Sequence, residues 1–116
     1  MDYAATILSR FQGASRRDKG VRLLVDTLEK YLPGDQVAQV LRAYEFGATA
    51  HEGQTRKSGE PYITHPVAVA QELAEMHLDS EAICAAILHD VVEDTSASLG
   101  QIREQFGEEV ELIVDG

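Results

Sequence analysis

The sequence predicts an all-α protein, a compact bundle of several helices, on three observations. Apolar residues recur at three- and four-residue spacing from end to end; strand-like alternation is nearly absent; and the gaps between apolar stretches carry capping and turn residues. A chain of 116 residues is the size of one domain and buries roughly two-thirds of the surface its unfolded form exposes. At 44% hydrophobic and 26% charged, with 3 prolines and 9 glycines, it is neither a disordered tail nor a low-complexity chain.

Asp2 to Phe11 reads as a short helix with Ala4, Ile7, Leu8 and Phe11 on one face. A charged stretch from Arg16 to Gly20 follows, then a helix through Val21, Leu24, Leu28 and Tyr31 that Pro33-Gly34 ends. Residues 1–34 thus form an N-terminal helical segment. Asp35 is the expected N-cap of a helix whose Val37, Val40, Leu41, Tyr44 and Ala48 share a face, running to about His51. Gly53 to Pro61 is polar, basic and rich in turn formers, hence a loop. Thr64 is expected to cap the next helix, which tolerates Pro66 in its first turn and ends near His77. Asp79 or Ser80 caps a strongly apolar helix from Glu81 to about Val92, central in the fold. Ser98 and Gln101 have the capping-box pattern and open a short helix ending at Gly107, and Glu108 to Val114 is a last helix. The chain stops just after Leu112-Ile113-Val114, which reads as a C-terminal truncation.

The net charge of −10 is unevenly placed. Residues 1–71 hold nine Lys/Arg against eight Asp/Glu, whereas residues 72–116 hold Arg103 alone against twelve. That field disfavours direct binding to nucleic acid or an anionic membrane, so a phosphorylated ligand needs a local cation. Cys84 is the single cysteine and sits among Ile83, Ala85 and Ala86, the setting of a small buried hydrophobe. With no apolar run long enough for a signal or a span, a cytoplasmic protein without a membrane partner is expected.

Four polar side chains gather at the end of the apolar helix. In a helix Glu93 falls under His89 and Asp94 under Asp90, since i and i+4 share a face. With Ile87, Leu88, Val91 and Val92 around them they are expected in a largely buried pocket, where the carboxylates need a counter-charge and a divalent metal supplies one. The bland alternative is a His89 that caps the helix and a solvated Glu93-Asp94. His65 is the natural second imidazole, although a helix-start residue bonded to backbone is equally consistent with its place. Mixed His and carboxylate donors suit Mn²⁺, Fe²⁺ or Zn²⁺ and not Ca²⁺. His51 and His77, at helix ends, fit capping work better than ligation. Arg56-Lys57-Ser58 is the one concentrated cationic patch near these acids and could hold phosphate or stay solvated. Tyr62 reads as a half-buried anchor.

Taken together, Ala50-His51-Glu52-Gly53-Gln54-Thr55-Arg56-Lys57-Ser58-Gly59-Glu60-Pro61-Tyr62-Ile63-Thr64-His65-Pro66, then Leu88-His89-Asp90-Val91-Val92-Glu93-Asp94-Thr95, resemble the hydrolase domain of the RelA/SpoT family, in the HD superfamily of metal-dependent phosphohydrolases. Phe106-Gly107 and Val114-Asp115-Gly116 extend the likeness from about Tyr44 to the end. The resemblance implies an all-α HD-type fold whose N-terminal part is residues 35–116. It also implies removal of the 3′-pyrophosphate from ppGpp or pppGpp in the stringent response, giving GDP or GTP, usually with Mn²⁺. On that likeness His65, His89 and Asp90 match metal ligands, Glu93 and Asp94 match the catalytic acidic pair, and Arg56, Lys57 and Ser58 match the nucleotide-binding loop. A fourth metal ligand, an aspartate on a later helix, has no counterpart before Gly116. Two other readings stand beside this one: another HD-type nucleotide phosphohydrolase, or a non-catalytic fragment that binds nucleotide or self-associates. Truncation is expected to bare apolar faces around Ile83-Ile87 and Leu112-Val114, favouring a homodimer or swapped assembly.

Overall fold

A computed structural model describes residues 16–54, 59 and 62–116. Seven helices run in order among them: α1 (Arg16–Leu28), α2 (Gly34–Ala50), α3 (Thr64–Glu75), α4 (Ser80–Leu88), α5 (Val91–Asp94), α6 (Leu99–Phe106) and α7 (Glu108–Asp115). No strand occurs among the described residues, so the all-α expectation holds. The expected helix over residues 2–11 lies outside the described residues, as do the side chains of Arg56, Lys57 and Ser58.

The local rules account for most boundaries, and three helix starts depart. The charged stretch at Arg16 is already helical, so α1 starts about one turn before its apolar face. At α2 the N-cap is Pro33, in extended conformation and without a side-chain cap bond; Asp35 instead lies in the first turn, where its charge suits the helix dipole. Ile63 likewise precedes α3 with no side-chain cap, and the Thr64 hydroxyl is buried without a partner among the described residues. Asp79 does cap α4, accepting from the Ala82 amide at 2.9 Å. Ser98 and Gln101 form the full capping box at the start of α6. After α3, His77 takes a left-handed φ of 58°, costly for a residue with a Cβ. Its ring stacks on Tyr31 at 4.5 Å, and the Tyr31 hydroxyl donates to the Leu78 carbonyl, which together hold the turn in place.

Helix α4 is the hub. It packs against α2, α3 and α7, while α1 lies on α3 and α6 on α7. Ile83, Cys84, Ile87 and Leu88 are fully buried there, each large aliphatic side chain contributing about 1.5–3 kcal/mol relative to exposure. Ile83 and Ile87 are therefore not bared by the chain's end: neighbouring helices cover them. Leu112 and Ile113 do stay exposed, at 63% and 47%. Gly47 lets α2 lie close to Ile63 at the start of α3, since a Cβ there would stand 3.0 Å from the Ile63 side chain, with Ile87 of the hub at 3.7 Å. Gly107 joins α6 to α7 at φ 96° and ψ 167°, a backbone region open essentially to glycine. None of the described helices is long and apolar enough to cross a membrane.

Candidate functional site

The apolar helix expected to reach Val92 stops at Leu88. Asp90 turns to φ −94° and ψ −1°, at the edge of the helical well, and a single turn, α5, follows. Asp and the paired β-branched Val91-Val92 are weak helix formers, and the break seats Val91 fully in the core. The i, i+4 relation of Asp90 and Asp94 survives it, because the Asp94 amide donates to the Asp90 carbonyl at 2.9 Å.

Burial is where the expectation fails. The His89 side chain is 70% exposed and that of Asp90 27%, and Glu93 and Asp94 are exposed as well. A one-turn helix at the surface cannot enclose four polar groups, so water solvates these carboxylates and burial alone demands no counter-ion.

Convergence, by contrast, holds. His65 from the first turn of α3 and His89-Asp90 from the end of α4 border one cavity of about 470 Å³. Its walls are apolar: Pro66, Val69 and Leu73 of α3, Ala82, Ala85 and Ala86 of α4, and Ile113 of α7. His89 and Ile113 also border a second recess that holds Glu93 and Asp115. Among the described residues no three His, Cys, Asp or Glu side chains are grouped as closely as a metal ion requires. Part of the reason is local, since His89 Nδ1 and Asp90 Oδ1 are 2.9 Å apart and satisfy each other. The donor chemistry still fits a transition ion: imidazole nitrogen and carboxylate oxygen face one cavity, and a carboxylate on Nδ1 leaves the His89 Nε2 atom to point elsewhere.

Asp94 is held differently. The Tyr62 hydroxyl donates to Asp94 Oδ2 at 2.7 Å and lies 3.4 Å from Asp90 Oδ2. That bond to the Asp94 carboxylate, followed by burial and the charge of Asp90, pushes the phenol up to about 12, so it remains a donor at neutral pH. The Tyr62 ring stacks on His51 at 4.4 Å. His51 is 3% exposed and its Nδ1 lies 3.1 Å from Gln54 Oε1, while Gln54 Nε2 donates to the Asp94 carbonyl at 2.9 Å. Since the Gln54 amide nitrogen is turned to Asp94, its oxygen faces His51, and Nδ1 must carry the proton. His51 does close α2, as expected, but through its position and backbone amide, while its ring serves Gln54 and Tyr62. Gln54 and the double role of Tyr62 were not legible from spacing, because no periodicity links residues 54 and 62 to residue 94.

A family model described as HD domain matches residues 43–116. The chain is 55% identical over 89 residues to the bifunctional (p)ppGpp synthase/hydrolase SpoT of Escherichia coli strain K12, covering 77% of this chain and 13% of that protein. It is 64% identical over 67 residues to a guanosine-3′,5′-bis(diphosphate) 3′-pyrophosphohydrolase of Haemophilus influenzae, covering 58% of this chain and 10% of that protein. A probable GTP pyrophosphokinase of Mycobacterium leprae is 46% identical over 93 residues, 80% of this chain and 12% of the relative. The chain thus spans about an eighth of the length of the curated relatives it matches. On the match over residues 43–116 and these identities, the chain belongs to the HD domain family and carries an HD domain of the RelA/SpoT type.

Proposed function

We propose that this chain carries the metal-and-water part of a site that hydrolyses the 3′-pyrophosphate of guanosine polyphosphates, turning ppGpp or pppGpp into GDP or GTP plus pyrophosphate. The observation that carries the reading is the convergence of His65 with His89-Asp90 on one cavity, in a chain similar to proteins named for that hydrolysis. In this reading His65, His89 and Asp90 are the ligands of a divalent transition ion, Mn²⁺ by the family likeness. When bound, the ion supplies a lowered pKa to water and polarisation to phosphate. Glu93, beside His89, and Asp94 are the groups that position the attacking water and take its proton. Arg56, Lys57 and Ser58 hold the nucleotide phosphates, offsetting the acidic field of residues 72–116. Residues 35–116 are the N-terminal part of this catalytic domain, 1–34 its flanking segment, and the cytoplasm its place of work.

The test is pyrophosphate release from ppGpp by the full-length gene product with Mn²⁺, against dGTP and cyclic nucleotides. Release from ppGpp that a chelator stops is expected. No release sinks the proposal, and preference for dGTP or a cyclic nucleotide transfers it to another HD-type phosphohydrolase. The exposure of Leu112 and Ile113 favours self-association of the 116-residue chain by itself. Sedimentation at high concentration should show a dimer, and a clean monomer would dismiss that assembly.

A further inference from the structure

His51, Gln54 and Tyr62 are polar, adjacent and committed to one another, and the metal-and-water assignments use none of them. The three also meet at a single place. Gln54 takes hold of Asp94 by its backbone, at 2.9 Å from the carbonyl, and Tyr62 takes hold of its carboxylate, at 2.7 Å. Their own main chains are joined, the Tyr62 amide donating to the Gln54 carbonyl at 3.1 Å. Beneath both lies the buried His51 ring, stacked on Tyr62 and bonded to Gln54. An exposed aspartate on a one-turn helix would otherwise sample several rotamers and fray with its backbone. Two bonds, one to its backbone carbonyl and one to its carboxylate, set on a buried ring, remove that freedom.

We propose that Tyr62 is a positioning residue, seated on His51 and Gln54, that fixes the Asp94 carboxylate in the orientation catalysis needs. The assignment rests on the hydrolase reading for its consequence and on the bonds themselves for its structure. Supporting groups of this kind commonly matter by about 10–100-fold when removed. Because Tyr62 also reaches Asp90 Oδ2 at 3.4 Å, the same hydroxyl links the acidic pair to the His89-Asp90 junction.

The experiment uses Tyr62→Phe, which keeps the ring on His51 and removes only the hydroxyl, and Gln54→Ala as a second variant, both in the full-length gene product. For ppGpp, kcat should fall about 10–100-fold with KM within about twofold, since a misdirected carboxylate harms the reaction and not substrate binding. Amide hydrogen exchange at Asp94 and Thr95 should speed up about tenfold while Ile83 to Leu88 stay protected. A kcat equal to wild type, or a change carried by KM alone, overturns the proposal. Exchange needs no substrate, so unchanged protection at Asp94 and Thr95 overturns it even in a protein inactive on ppGpp. Loosened exchange in an inactive protein sinks the hydrolase reading and leaves the clamp on Asp94 standing.

Discussion

His51 and His65 lie fourteen positions apart in the sequence and occupy opposite kinds of environment. His51 is buried, stacked on Tyr62 and hydrogen-bonded through Nδ1. His65 is exposed on the first turn of α3, and no hydrogen bond to its ring occurs among the described residues. A buried polar side chain gains stability by committing its atoms to protein partners, as His51 Nδ1 does, although the buried His51 Nε2 has none among the described residues. A group that takes an outside ligand must keep an atom uncommitted. The His51 cluster is built for stiffness, then, and the cavity of His65, His89 and Asp90 for occupancy.

The largest expected effect breaks the open side alone. His89→Ala or Glu93→Gln should lower pyrophosphate release on the order of 10²–10⁴-fold. Stability should move by no more than about 0.5 kcal/mol, because both side chains are exposed. Kinetics beside a denaturant melt checks this, and a large loss of stability in either variant would erase the contrast between the two regions. On the committed side His51→Ala should do the reverse first, costing roughly 1–3 kcal/mol by the same melt through the lost stack and the bond to Gln54.

Gly107→Ala addresses the wall that the open cavity borrows from α7. At φ 96° and ψ 167° an alanine should cost about 1–3 kcal/mol and shift Ile113, which borders both the cavity and the neighbouring recess. Thermal unfolding measures the cost, and an unchanged melting temperature would mean that the α6–α7 joint does not set α7. Near neutral pH the smallest effect is that of Cys84. Burial, with the charge of Glu81 adding and that of Arg42 opposing, pushes its thiol from 9.0 up to about 12. The unfolded chain therefore releases that proton first, so stability should fall as pH rises from about 9 toward 12. A thiol reagent at pH 8 should modify Cys84 only after denaturant is added; fast modification of the native protein would contradict its burial.

Much of the fold was legible because it is written locally. Apolar spacing marked α2, α4 and α7, the carboxyl of Asp79 and the Ser98-Gln101 pair marked two helix starts, and the run of small and aliphatic residues around Cys84 marked the hub. Of the candidate site, the likeness and spacing named His65, His89 and Asp90, and the structure sets them around one cavity. The error was in burial. Spacing shows which residues share a helix face, but not whether the helix continues, and the break at Asp90 put Glu93 and Asp94 on a surface turn.

By itself, then, the sequence determined the helical class, the hub and the residue types of the candidate site, because periodicity, caps and motif composition act over a few neighbouring residues. Only the tertiary structure decided that the helix yields at Asp90 so that Val91 can enter the core, that Ile83 and Ile87 are covered while Leu112 and Ile113 are not, and that Tyr62 reaches Asp94. Those outcomes depend on contacts between segments distant in sequence, and nothing in a local pattern fixes them.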